Sequence, residues 1–433
     1  MNARVAIVGS GIAGLSAAYH LHGHASVSLF EAGDYFGGHT HTVDITLPGS
    51  NGDCTFGVDT GFLVYNERTY PGLIDLFQQL GIQTAHSDMS FSVQAPWGKS
   101  GRTLEWNGAD LNSVFAQRSN LLRPGFWWLL REIIRFNKLC TRLAQSYDDG
   151  ALMQPLQDFL DHHGFGVSFK DHYLLPMLGC IWSCPTSQML QFPAATMVRF
   201  CDNHGLLQVN NRPQWFTVQG GAKHYVQAIL SRIEHTHLNT PVLSIQRDGQ
   251  GVVLHTARGS ERFDQVVIAT HADQGLRLLA QPSPEEHRVL SSIGFQDNLA
   301  VLHTDASVMP QKRLAWAAWN YERSTDTHES AHVCLHYWLN KLQPLPFTQD
   351  VFVSLNPGRT IAAAHVLGQF EYSHPVFDLA AIQAQRQLGH LQGQQHTWFA
   401  GAWMGYGFHE DGFKAGRAAA QGILQALMAE EPA

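Results

Sequence analysis

Charge of either sign is scarce in this sequence: Asp, Glu, Lys and Arg supply 15% of its 433 residues, and the formal net charge is −8. That balance gives no electrostatic case for a nucleic-acid partner, which needs a concentrated basic surface. Cysteine is sparse too. Cys54, Cys140, Cys180, Cys184, Cys201 and Cys334 include no Cys-x-x-Cys pair, and Cys180 with Cys184 fits one helix face better than a metal knuckle. In a cytoplasmic protein such thiols stay reduced. No stretch approaches the ~18 apolar residues of a transmembrane helix. The first strand pattern starts within the first few residues, so no signal peptide is expected. A cytoplasmic protein is expected, soluble or in peripheral contact with the inner face of the membrane. Histidine runs against this sparseness, with 25 residues. His39 with His41, and His235 with His237, invite a metal reading. No His-Glu-x-x-His or comparable set is present, so the histidines read as scattered and solvent-facing, and no metal is expected.

Glycine organises the start of the chain. Val5-Ala6-Ile7-Val8 reads as a short apolar strand running into Gly9-Ser10-Gly11-Ile12-Ala13-Gly14. A helical pattern follows through Leu15, Ala18, Tyr19 and Leu21. A second strand, Val27-Ser28-Leu29-Phe30, then ends at Glu31. Strand, GxGxxG, helix, strand and acid in one βαβ unit form the dinucleotide-binding fingerprint. Gly9 permits the tight turn, Gly11 lets backbone approach a pyrophosphate, and Gly14 lets helix and strand pack closely. Ile12 and Ala13 open a helix whose free N–H groups and positive dipole end favour the phosphates. Glu31 is placed to accept hydrogen bonds from a ribose diol.

Glu31-Ala32-Gly33-Asp34-Tyr35-Phe36-Gly37-Gly38-His39 continues the motif. It resembles the E-A-x-x-x-x-G-G-[RH] extension of FAD-dependent oxidoreductases of the amine oxidase and phytoene desaturase superfamily. The resemblance implies FAD rather than NAD, with Ala32, Gly37, Gly38 and His39 added to the binding residues. It implies later flavin contacts as well. Asp59 and Gly61 match a D-x-G segment that returns the chain to the isoalloxazine, with residues 62–66 as a candidate active-site wall. Read alone, the same residues make a β-turn with an Asp bonded to its own backbone. Val242 matches a position whose backbone meets the adenine. Gly401, Asp411, Gly412 and Phe413 lie in a strand, glycine-rich turn and helix like the superfamily's closing flavin motif. The N-terminus of that last helix, starting at Gly412, would point at the flavin pyrimidine and favour its reduced anion.

The expected fold class is α/β: a Rossmann-like FAD-binding domain with a discontinuous α+β substrate domain. Residues 1–81, 211–275 and 391–433 make up the first, and residues 82–210 and 276–390 the second. Helices are expected at 71–80, 222–233 and 412–428, a hairpin at 239–245 with 251–256, and strands at 264–270, 299–303 and 333–338. Residues 124–143 form an unusual helix. Phe126, Leu129, Leu130, Ile133, Ile134, Asn137 and Cys140 fall near one stripe, while Arg131, Arg135, Lys138 and Arg142 fall mainly on another. Between Arg118 and Arg142 there are six cations and one anion, Glu132, and Trp127 and Trp128 sit at the helix start. A membrane interface favours this pattern, with rings at the headgroup level and cations toward anionic lipid. A core helix with a solvated basic face fits it too.

Gly37-Gly38-His39, Asn210-Asn211-Arg212-Pro213-Gln214-Trp215 and Gly405-Tyr406-Gly407-Phe408-His409-Glu410-Asp411-Gly412 carry a finer resemblance. They look like a bacterial branch linked to cyclopropane-fatty-acid-synthase-type methyltransferases, which includes the flavin desaturase of methylated furan fatty acid biosynthesis. The resemblance implies an FAD-dependent oxidoreductase acting on a methyl-branched monoenoic acyl chain, carried on a phospholipid and converted to a conjugated diene. One departure matters: the best match to the lysine that amine oxidases place near flavin N5 is Asn298, which argues against amine oxidation. Desaturation needs a hydride acceptor, a base and a dry apolar channel. His409 and Glu410 are the candidate bases, although Glu410 and Asp411 also suit a plain helix cap. Tyr65 and Tyr406 suit pocket walls. Two other functions stay open: an oxidase of an amine or another small polar substrate, and a flavin-bearing membrane or partner-binding module without turnover.

Overall fold

The computed structural model describes residues 3–98, 101–146, 152–208, 212–323 and 333–430. Asn210 and Asn211 lie outside them. β1 (Arg4–Val8) is apolar beyond its first residue, and Val5, Ala6 and Ile7 are wholly buried, as a strand covered on both faces requires. It occupies the middle of a five-stranded parallel sheet ordered His235–His237, β2 (Ser26–Phe30), β1, Gln265–Ile268, Thr397–Phe399. α1 (Ile12–Leu21) connects β1 to β2. Strands are added first on one side of β1 and then, from Gln265–Ile268, on the other, and this switch in strand order opens a crevice beyond the carboxyl ends of the central strands.

The closing helix, His409–Glu430, lies against α1 almost backbone to backbone. A Cβ on Gly416 would stand 2.0 Å from Ala13 O, so a larger residue there would force the two helices apart. This helix starts earlier than the expected Gly412. Gly412 N already donates to Phe408 O at 3.1 Å, which places residues 409–411 in the first helical turn. α2 (Pro71–Leu80) has the expected span, with Pro71 in its first turn and Gly81 ending it at φ 68°.

A second, seven-stranded sheet runs Val366–Val376, Gly294–His303, Phe352–Leu355, Cys334–Trp338, Trp319–Glu322, Phe91–Trp97, Arg102–Asn107. Its neighbours are antiparallel except Trp319–Glu322 beside Phe91–Trp97. The parallel sheet draws its strands from residues 1–81, 211–275 and 391–433, and this one from 82–210 and 276–390. A small sheet of Tyr65–Asn66, Trp215–Val218 and Thr84–Ser87 stitches the two sets together.

The basic helix spans Pro124–Gln145. Its buried face carries Phe126, Leu129, Glu132, Phe136, Asn137 and Cys140, while Ile134, expected on the apolar stripe, is exposed. Phe136 continues the stripe at helical spacing and displaces Ile134 from it. Buried Glu132 accepts from Gly166 N at 3.0 Å. All six cysteines are free thiols, and Cys184 falls beyond the end of the helix that carries Cys180.

Candidate functional site

The crevice deepens into a cavity of about 810 Å³. At one end stands the glycine turn. Gly9 holds φ 101°, and a Cβ there would lie 2.7 Å from Ala269 O. One on Gly14 would lie 1.9 Å from Gly9 O, so the helix can approach the turn only because Gly14 has no side chain. Gly11 is the opposite case. A Cβ on it would meet nothing within 4 Å, because it would enter the cavity that Gly11 lines. Gly11 also starts α1 without a side-chain cap, and Ile12 and Ala13 follow it along the cavity.

Glu31 and Ala32 line the same end. Glu31 Oε2 accepts from Ser10 N at 3.0 Å and Ser10 Oγ at 2.6 Å, and its Oε1 accepts from Gly33 N at 2.8 Å. A carboxylate offers about four acceptor sites, so Glu31 keeps capacity for a further donor. Ser10 Oγ in turn accepts from Gly37 N at 3.0 Å and ties the glycine turn to the Gly37-Gly38 bend. Sequence reasoning missed Ser10, whose signal was a hydroxyl between two turn glycines. Gly38 lines the cavity 3.1 Å (from an added Cβ) behind Gly11 Cα, whereas Gly37 faces Thr40.

His39, Gly61, Val242 and Gly401 all line the cavity. Phe62 N donates to His39 O at 2.7 Å, which seats the 61–64 segment against His39. Leu63 and Val64 continue the wall. Tyr65 and Asn66 turn away to pair with Phe216 and Trp215, so the expected wall is shorter by two residues. His39 Nε2 is buried without a hydrogen-bond partner among the described residues. Burial, helped by the neighbouring His374, His271 and His409, holds its imidazole neutral.

His409 also lines the cavity, stacked on Phe62 with centroids 3.7 Å apart. Its Nε2 faces Thr40 Oγ1 at 2.9 Å and Tyr225 OH at 3.2 Å, and burial pushes its pKa down to about 3. Such an imidazole is a weak proton acceptor. Glu410 departs from the expected role. Its carboxylate accepts from Gly72 N and Leu73 N, both at 3.0 Å, at the start of α2 and away from the cavity. It caps α2, a different helix from the one that carries it. Asp411 holds the preceding turn by accepting from Tyr406 N at 3.1 Å and Phe408 N at 3.0 Å. Gly412 meets Ile12, and Phe413 packs beside His20; neither lines the cavity.

Asp59 was expected beside the flavin and instead lies behind the cavity wall. It accepts from Ala222 N at 2.9 Å and Gln343 Nε2 at 2.9 Å, and burial raises its pKa to about 7. Asn298 is set back in the same way. Its Nδ2 donates to Gln296 O at 3.0 Å, and its Oδ1 accepts from Asn356 Nδ2 at 2.7 Å, which fixes the amide's orientation. Nδ2 therefore donates to His374 Nδ1, 2.9 Å away, and neutral His374 carries its proton on Nε2. His374 lines the cavity; Asn298 positions it from behind.

Several histidines are thus enclosed rather than solvent-facing. On the far face of the seven-stranded sheet, Glu322, Cys334 and His336 bring their ligand atoms within 4.8 Å of one another. Hydrogen bonds tie each member into its surroundings, and Cys334 Sγ accepts from Gly358 N at 3.4 Å. Asp305 N donates to His303 Nδ1, His303 Nε2 and His336 Nδ1 both face Ser354 Oγ at 2.6 Å, and His336 Nε2 faces Glu322 Oε2 at 2.9 Å.

A family model described as flavin containing amine oxidoreductase matches residues 12–343. The chain belongs to the flavin-containing amine oxidoreductase family. No curated protein sequence matches it. Cyclohexylamine oxidase from Brevibacterium oxydans IH-35A is 18% identical, with TM-score 0.69 over 99% of this chain and all of that one. A CLA-producing fatty acid isomerase from P. acnes is 16% identical, with TM-score 0.65 over 97% and 98% of the two chains. Putrescine oxidase bound to putrescine is 14% identical, with TM-score 0.68 over 98% and 99%. At these identities the solved structures share the fold. Family membership makes the chain an FAD-dependent oxidoreductase.

The cavity fits FAD on its own geometry. Gly11 leaves a cradle that a Cβ would fill, the α1 start is uncapped, and Glu31 keeps an acceptor at the end of β2. His39 Nε2 offers a buried polar atom still without a partner. Among the described residues, no helix is long and apolar enough to cross a membrane.

Proposed function

We propose that this flavoprotein desaturates a methyl-branched, unsaturated fatty acyl chain borne on a phospholipid, giving a conjugated diene. The observation that carries the reading is the composition of the cavity away from the glycine turn. Segments 62–89, 180–215 and 319–355 contribute Leu63, Val64, Phe200, Leu206, Val353 and Leu355 among other apolar and aromatic residues. None of their lining side chains is an acid, a lysine or an arginine. Glu31 and Glu371 are the carboxylates of the lining and Arg277 its one permanent cation, among the described residues. A small cationic amine would find no counter-charge in those segments, whereas an acyl chain gains about 0.8 kcal/mol for each methylene buried.

When bound, FAD supplies a two-electron acceptor. The chain's own part is to hold the acyl group, exclude water and manage one proton. The apolar wall does the first two. Glu410 caps α2 and Glu31 is bonded to Ser10 and Gly33, so neither is poised to take the proton. Burial holds the His39 and His409 imidazoles neutral, so both are weak proton acceptors. The similarity of fold to a fatty acid isomerase agrees with an acyl substrate, and the family's amine oxidases mark the competing reading. Incubating the holoprotein with a methyl-branched monoenoic phospholipid should yield a lipid lighter by two hydrogens with conjugated-diene absorbance. Quantitative recovery of unchanged lipid under oxidising turnover conditions would contradict the proposal.

A further inference from the structure

The surface around the basic helix carries an inference that does not rest on the desaturase reading. Thirteen large apolar side chains stand exposed among the described residues, and six of them fall between Leu111 and Ile134. Leu111 is 79% exposed, Leu122 89%, Trp127 50% and Trp128 55%. Such a concentration on one stretch is unlike the scattered single exposures of an ordinary surface. The stretch is also tied together. Trp127 Nε1 donates to Leu121 O at 3.0 Å, and the Trp127 ring lies 5.2 Å from that of Phe115. Trp127 is therefore held outward by local structure.

Charge distinguishes this patch from a site for another apolar protein surface. Arg118, Arg123, Arg131, Lys138 and Arg142 make no ion pair with a carboxylate among the described residues. Arg131 lies over the Trp128 ring at 5.1 Å, with its charge facing no acid. Arg135 is the exception and leaves the set. It donates to His163 O at 2.9 Å and Gly164 O at 3.1 Å, and its guanidinium covers the Phe165 ring at 4.0 Å. The one acid of the helix, Glu132, is buried. Five uncompensated cations beside exposed tryptophan and leucine, in a protein of net charge −8, are complementary to an anionic lipid surface.

We infer that the face formed by residues 111–134 and the outer side of the basic helix docks onto the anionic headgroups of a phospholipid bilayer, with Leu122, Trp127 and Trp128 entering the interface. Cosedimentation of the flavin-loaded protein tests this with vesicles of phosphatidylcholine alone and of phosphatidylcholine with phosphatidylglycerol, saturated so that no substrate is present. Binding is expected on the anionic vesicles and should fall as salt rises. Arg131→Glu with Lys138→Glu should weaken it by roughly tenfold or more. Trp127→Ala with Trp128→Ala should weaken it at every salt concentration. Leu243→Ser, an exposed apolar residue elsewhere, should leave it unchanged. Retained flavin absorbance shows that each variant is folded. Equal binding to neutral and anionic vesicles, no binding, or no effect of the paired variants would overturn the inference. So would a dimer in sedimentation velocity that the tryptophan variant dissolves, which would assign the face to a second copy of the chain.

Discussion

The two ends of the cavity are built on opposite principles. Around Gly9, Gly11 and Gly38 the wall is backbone, and the clearances at and behind it are so small that an added Cβ would collide at Gly9 and Gly14. Around Phe200, Leu206, Val353 and Leu355 the wall is bulky apolar side chain. An end made of backbone and glycine selects for one rigid group that is always present. An end made of side chains can be reshaped by substitution without loss of the fold. On the proposed reading, cofactor binding rests on main-chain geometry and substrate choice on side chains from other strands and helices.

The largest effect should come from forcing a side chain into the glycine end. Gly11→Val projects into open cavity, so it should leave the fold intact and abolish flavin binding, read as loss of the visible flavin spectrum with unchanged circular dichroism. Gly14→Val collides with Gly9 O and should lose folding itself. If Gly11→Val protein retained its flavin, the two-ended description would fail.

A smaller effect, confined to the other end, is expected from Leu206→Glu. It should retain flavin and lose about 2 kcal/mol of apolar binding, roughly thirtyfold in kcat/KM for an acyl substrate. An equal loss of flavin would mean that the ends are not independent.

Glu410→Gln lies outside the contrast and tests its boundary. It weakens two hydrogen bonds to the start of α2, so stability should fall by about 1–3 kcal/mol in denaturant titration. The rate of flavin reduction in the surviving folded protein should stay normal. A slowed reduction with unchanged stability would restore Glu410 as a base.

The most gradual effect is on pH. His39, His204, His303, His374 and His409 all have pKa values pushed down by burial, to about 4 for His204, His303 and His374 and about 3 for His409. Unfolded, each takes up a proton near pH 6.5, so their contribution is complete above that pH and is lost as pH falls toward the folded values. Asp59 and Asp411 oppose them, because burial raises their pKa values to about 7 and about 6. Their contribution is present at low pH and fades as pH rises through those values. The imidazoles outnumber the carboxyls, so net stability should fall between about pH 6.5 and pH 4. Each proton in excess adds about 1.4 kcal/mol per pH unit. Melting temperatures across that window check the sign.

The glycine end was legible in the sequence because its requirements are local. Val5 to Glu31 form one contiguous unit whose turn, helix and strand each leave a mark within a few residues. Beyond Leu63 and Val64 the apolar end was not legible, because Phe200 on its helix and Trp319 and Leu355 on their strands meet only through the packing of elements distant in sequence. The same reason explains the misplaced acids. Nothing local to Glu410 shows that it reaches the N-terminus of α2, and nothing local to Asp59 shows Ala222 and Gln343. Cys334 and His336 lie two apart on one strand and so share a face, but their partner Glu322 comes from the neighbouring strand.

Anaerobic mixing of the oxidised holoprotein with candidate substrates tests the central claim most directly, with flavin absorbance as the readout. A methyl-branched unsaturated phospholipid should bleach the flavin, more slowly when the allylic methine carries deuterium, while small primary amines leave it oxidised. Bleaching by an amine with none by the lipid would contradict the account and make the apolar end the pocket of an amine oxidase.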